Sequence, residues 1–176
     1  MIKGDQSFEF ERRMSIKPDW TYEFISIDSH SDTPDILNFN LYLTRISRGQ
    51  FAFSGTMDVG EDLNDDTLVN MMVYYSYSSH DYVRSPLQVP KLELPKFIQT
   101  HYKDIMMEDL QICAKNAPDL ESDGVVTKRL AEFENCSISN ENMPSHLKAG
   151  YYKIVLIFTG RANVSLTVVI KVEPKD

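Results

Sequence analysis

Cysteine, glycine and basic charge are all scarce in this chain, and no apolar run is long. Two cysteines among 176 residues leave no Cys-x-x-Cys, and seven glycines form no phosphate-binding loop and no Gly-x-Ser-x-Gly elbow. No apolar run approaches the roughly 20 residues needed to span a bilayer. Lys and Arg number 18 against 26 Asp and Glu, a formal net charge of −8. That balance argues against nucleic acid as a partner, because phosphate binding needs a basic surface. It also argues, less strongly, against permanent attachment to an anionic membrane. The amino terminus, Met1 to Gln6, lacks the apolar core of a signal peptide. The expectation is a cytosolic protein or a mature chain preceded by a starting Met.

Catalytic patterns are missing too. His30, His80, His101 and His146 are scattered, with neither His-x-His nor His-Glu-x-x-His. Ser79-His80-Asp81 has the residue types of a hydrolytic triad, but adjacent positions cannot form the hydrogen-bond relay. Asp58, Asp62, Asn64 and Asp66 alternate as calcium ligands do. An EF-hand counted from Asp62 nevertheless places Thr67 where Gly is required and Val73 where the bidentate Glu belongs. A solvated acidic turn is the better reading. The expectation is a non-enzyme that needs no metal and no cofactor.

What the chain does have is strands. Trp20–Asp28 has strand character, and Leu37–Ile46 alternates cleanly, with Leu37, Phe39, Leu41 and Leu43 on one face. After Arg48-Gly49-Gln50, Phe51–Val59 returns with Phe51, Phe53 and Met57 on one face, which completes a hairpin. Leu68–Ser78 is apolar on both faces and should be covered on both. Tyr82–Leu94 contains Pro86 and Pro90, as an edge strand would. Val125–Phe133 fits a short helix as well as a strand. Tyr151–Thr159 and Val164–Val172 form a closing hairpin, with Val164, Leu166, Val168 and Ile170 facing inward.

One segment is helical. From Pro95 the apolar residues Phe97, Ile98, Tyr102, Ile105, Met106, Leu110 and Cys113 follow the spacing of an amphipathic helix, which ends before Pro118. The predicted fold is mainly β: an antiparallel β-cup or β-sandwich of six to eight strands with one amphipathic helix near the mouth. Residues 1–19 read as a loosely ordered segment and 20–172 as a single domain.

Cys113 and Cys136 read either as two buried thiols or as a disulfide closing a loop of about 24 residues, which would stabilise by roughly 3 kcal/mol. Two N-glycosylation sequons, at Asn135 and Asn163, favour the disulfide, since both features belong to the secretory route. The chain is also rich in Phe (9), Tyr (9) and Met (8). Such side chains fill an ordinary core or line a cavity for flexible apolar ligands, and composition does not separate the two.

Several short motifs share one scheme. They are Trp20-Thr21-Tyr22-Glu23-Phe24-Ile25, Tyr74-Tyr75-Ser76-Tyr77, Pro95-Lys96-Phe97 opening a helix, Cys113, Asn135-Cys136, Pro144, and Gly150-Tyr151-Tyr152 leading the last hairpin. This order, from Trp20 to Val172, resembles the insect chemosensory CheB family, which is similar to ganglioside activator protein and ML-type lipid-recognition domains. The resemblance implies a secreted β-cup, its signal peptide absent from this chain, that carries or presents a lipid, fatty acid or cuticular hydrocarbon in gustatory pheromone perception. It implies a Cys113–Cys136 disulfide. Related domains carry more cysteines, so this cup would be held by fewer staples. With strand parity, the resemblance implies a cavity lined by Phe39, Leu41, Phe51, Phe53, Met71, Val73, Tyr75, Phe97, Ile98, Tyr102, Ile105 and Met106, with the helix as gate. Possible partners are a receptor or ion channel, together with transient membrane contact. The alternative reading is a solid β-sandwich acting as a protein-interaction module at a receptor or channel. The acidic loop Glu61–Asp66 and tyrosines around Tyr74–Tyr82 motivate it.

Overall fold

A computed structural model describes residues 17–176. The loose segment read from the sequence falls mostly on residues 1–16, outside the described residues. Asp19 is already held: its N–H donates to Ser145 O at 3.0 Å, and its carbonyl accepts from Lys175 N at 2.8 Å.

Among the described residues, nine strands and one helix follow in chain order: β1 (Trp20–Ser31), β2 (Leu37–Ser47), β3 (Gln50–Val59), β4 (Thr67–Ser76), β5 (Val83–Glu93), helix α1 (residues 94–113), β6 (Ala114–Lys115), β7 (Arg129–Cys136), β8 (Gly150–Gly160) and β9 (Val164–Pro174). Two antiparallel sheets result, ordered β1-β9-β8-β4-β5 and β2-β3-β7-β6, and they do not close into a barrel. The expected mainly β, two-layer fold with one helix is therefore present. The strand count is nine because the two-residue β6 joins eight longer strands.

Local chemistry explains the joins. The β2–β3 hairpin turns at Gly49, whose φ of 73° suits glycine, and Leu37 to Arg45 pair in register with Val59 to Phe51. Gly55 lets those strands approach: a Cβ there would stand 2.0 Å from the carbonyl oxygen of Asn40. In β5, Pro86 and Pro90 cannot donate to a ladder, and the register against β4 slips beside each. β5 is accordingly the sheet's edge, as its prolines predict. Central strand β4 lacks the expected cover on its second face. Leu68, Met72 and Tyr74 lie part-exposed there, with the Arg84 guanidinium 5.8 Å from the Tyr74 ring.

Helix α1 runs directly from β5, the edge of one sheet, into β6, the edge of the other, and so crosses one open side of the sandwich. Pro95 sits in its first turn, as expected. Its middle, Ile98–Met107, is π-helical, bonding five residues back instead of four. That longer period shifts the buried stripe. His101 turns inward, while Ile105 and Met106 remain part-exposed.

The helix is anchored at both ends. Leu94, Phe97 and Ile98 are buried at its start, and at its end Cys113 is bonded to Cys136 with the Cα atoms 5.5 Å apart. A bulge makes this bond possible. Phe133 pairs with Gly55, and three residues later Cys136 pairs with Phe53, two residues back along β3. Asn135, at φ 51°, absorbs the extra residue, which turns Cys136 to the inner face where parity would otherwise place Asn135. Val125–Phe133, which fitted two readings, resolves into the approach to β7 and most of that strand. Replacing both cysteines, Cys113→Ser with Cys136→Ser, should lower unfolding free energy by about 3 kcal/mol, the value for freeing a loop of this length. Denaturant midpoints with and without the bond measure it; an unchanged midpoint would mean that the helix is held by packing alone.

Candidate functional site

The inner face of the five-stranded sheet is a grid of four rows, read across β4, β8, β9 and β1 from their pairing. The first row is Val69, Phe158 and Val164; the last is Tyr75, Tyr152, Ile170 and Phe24. The residues named in these end rows are buried except Tyr75, which is partly so; Ser31 of β1, which continues the first row beside Val164, is part-exposed as well. The middle rows differ. Met71, Leu156 and Leu166 form one; Val73, Ile154, Val168 and Ile27 form the other. Of these seven only Val73 is buried, although all face the opposite sheet. The middle of this face is thus partly accessible to solvent, whereas the named residues of the end rows are largely buried.

Aromatic contacts join the two sheets beside the end rows. Phe39 of β2 meets Phe158 of β8 at 5.8 Å between ring centroids, beside the first row. Phe24 of β1 meets Phe53 of β3 edge-on at 5.9 Å, beside the last. Between them Leu41 and Leu43 of β2, both part-exposed, share the inward parity of Phe39. On one flank the Oγ atoms of Ser29 and Ser31 donate to the β2 carbonyls of Phe39 and Leu37, at 2.9 and 2.7 Å. On the other flank lies α1. The named side chains of the middle rows and the two leucines are apolar, and Ser29, which continues the Leu166 row in β1, already donates to Phe39 O. This surface can therefore bind apolar matter by dispersion and exclusion of water.

Polar fastenings close the end near Trp20. Trp20 Nε1 donates to Pro144 O at 2.8 Å, and Asn140 Nδ2 to Trp20 O at 2.7 Å. Tyr22 Oη donates to Ile138 O at 2.5 Å and accepts from Ile138 N at 3.2 Å. Tyr152 and Tyr75 donate to the carbonyls of Lys148 and Ala149, at 2.8 and 2.6 Å. Glycine suits position 150, at φ 144°, since a Cβ there would stand 2.6 Å from Tyr75 Oη and 2.7 Å from its ring. Burial pushes the Tyr22 and Tyr152 phenols up to about 12 and raises Tyr102, which donates to Pro118 O.

The residues expected to line a cavity divide into three groups. Phe53, Val73, Phe97, Ile98 and Tyr102 are buried. Phe39, Leu41, Met71, Tyr75, Ile105 and Met106 are part-exposed, and Phe51 is exposed beside the hairpin turn, away from the rows. Sequence reading missed Ile154 and Leu156, because β8 is apolar on both faces from Ile154 to Phe158 and its parity carries no signal. Leu166 and Val168 were read as inward-facing but not as cavity wall; their place beside β8 decides that.

No protein-family model matches the chain, and no curated protein matches it. Geometry therefore carries the functional argument.

Other features have plain structural roles. Asp62 accepts from Lys128 N at 2.7 Å, and Glu61 forms a two-pronged ion pair with Arg161, 2.7 Å at each contact. That pairing, chiefly through its hydrogen bond, holds the Glu61 carboxyl below its ordinary value. Ser79 and Asp81 lie in a left-handed turn between β4 and β5. Asn135 is exposed, with its Oδ1 accepting from Thr44 Oγ1 at 2.9 Å; Asn163 is half-buried and donates to Gly160 O at 2.9 Å. Two shallow hollows mark the outside. One, of about 550 Å³, is polar and lies around Arg129; the other, of about 500 Å³, lies around Ile25, Tyr82 and Tyr151.

The raised tyrosines set a direction for alkaline stability. A phenol whose folded value lies above its unfolded value stabilises the fold fully below about pH 10, and loses that contribution as pH climbs through the folded value. Unfolding free energy should accordingly decline between about pH 10 and 12, and Tyr22→Phe should flatten part of the decline. A variant with the wild-type slope would show that Tyr22 is not among the groups responsible.

Proposed function

We propose that the protein is a non-enzymatic carrier or presenter of a lipid or long-chain hydrocarbon, held between its two sheets. The observation that carries this reading is the part-exposed middle of the inner face, apolar except for Ser29 at its β1 edge, lying between largely buried end rows. A solid sandwich would bury those rows as it buries the end rows. Affinity would come from apolar area removed from water, about 25 cal/mol per Å². Such a term grows smoothly with chain length, so discrimination among neighbouring lengths is shallow. Ile105 and Met106, part-exposed on the π-helical stretch of α1, are the side chains by which the helix gates the flank.

The disulfide fits an extracellular setting, and no described helix is long and apolar enough to cross a membrane. With the resemblance to the insect chemosensory CheB family, these features support a secreted protein of pheromone perception, glycosylated at Asn135 and Asn163 and read out by a receptor or ion channel. The exposed Tyr77 favours the second reading, a protein-interaction module, and the two readings part on whether an apolar ligand enters.

Native mass spectrometry of protein from a lipid-containing secretory host, followed by organic extraction, should find an apolar ligand at near-stoichiometric amount. Leu156→Trp and Leu166→Trp should displace it while costing less than about 1 kcal/mol of stability, because they fill space. In a filled core such enlargement costs about 1–3 kcal/mol. A ligand-free mass together with destabilised tryptophan variants would overturn the carrier reading in favour of the solid module.

A further inference from the structure

The β2–β3 hairpin is chemically unlike the rest of the chain. From residue 36 to residue 57 it contains no Asp or Glu and two arginines, Arg45 and Arg48, in a protein of net charge −8. Its tip also exposes large apolar groups: Ile46 is 56% exposed, Tyr42 54% and Phe51 41%. Neither arginine has an ion-pair partner among the described residues. Of the carboxylates on the same sheet, Glu134 of β7 comes nearest the tip, exposed between the residues that pair with Gly55 and Phe53. Glu132 pairs with Thr56 and Asp58 with Asn38, well along the strands from the Arg45–Phe51 pair.

The tip is also built firmly. Ser47 Oγ donates to Gln50 Oε1 at 2.8 Å across the turn. Thr44 Oγ1 bonds Ser54 Oγ at 3.1 Å and Asn135 Oδ1 at 2.9 Å, tying the hairpin to β7. A slip in register between Arg45 and Ser47 carries Ile46 out of the ladder. An apolar side chain that protrudes from a convex, rigid, cationic point has no groove to offer a protein partner. It suits the headgroup layer of a bilayer, where the aromatic rings sit at the interface and the arginines meet lipid phosphate and carboxylate.

We infer that this hairpin tip docks the protein on an anionic membrane surface, with Ile46, Phe51 and Tyr42 entering the interface and Arg45 and Arg48 reading its charge. The inference goes beyond the carrier reading, because no residue of the tip belongs to the middle rows. Vesicle co-flotation of the disulfide-bonded chain tests it, using phosphatidylcholine with and without phosphatidylserine. Binding should require phosphatidylserine and weaken as salt rises. Arg45→Gln and Arg48→Gln should each lower partition about five-fold, and Ile46→Ser with Phe51→Ser should lower it about ten-fold or more. Apolar ligand loading, measured in the same variants, should stay unchanged and so report an intact fold. No phosphatidylserine-dependent binding, or binding that survives all four substitutions in folded protein, would overturn the inference.

Discussion

Two aromatic contacts between the sheets govern the rest of the structure. Phe39 against Phe158 and Phe24 against Phe53 set the spacing of the layers at two ends of the inner face. Between them Leu156, Leu166, Ile154 and Val168 remain part-exposed, whereas in a usual sandwich branched aliphatic side chains from both layers interdigitate over the whole face.

Besides the shared core, other devices join the layers. Serines of β1 reach the edge carbonyls of β2, the loop after β7 is tied to Trp20 and Tyr22, and the disulfide joins α1 to β7. Each acts at the rim and none crosses the middle. The helix is the least regular part of this frame, with ten residues wound as π-helix between two α-helical ends. π-Helical turns are rare and frequently accompany functional sites.

Much of this fold is legible in the sequence wherever one face of a strand is polar. Leu37 to Leu43 alternate with Asn and Tyr, and the register of β2 follows directly. The prolines of β5 mark it as an edge before any coordinates are seen. Legibility fails where both faces are apolar, as in β8, because parity then has nothing to distinguish. It fails again at the bulge before Cys136, where one extra residue reverses the faces, and in α1, where winding departs from the period that the pattern assumes. The partial exposure of the middle rows leaves no trace in composition. A leucine beside space and a leucine beside a leucine are written identically, and only the position of the aromatic contacts separates them.

The central claim is that the middle rows face room that an apolar molecule can occupy. Methyl nuclear magnetic resonance during titration with a long-chain fatty acid tests it most directly, because β8 and β9 carry inward and outward methyls in alternation. The account predicts shifts at Ile154, Leu156, Leu166 and Val168, with Val155, Ile157 and Val169 on the outer face unmoved. Shifts confined to the outer set, or no shifts in either, would contradict it.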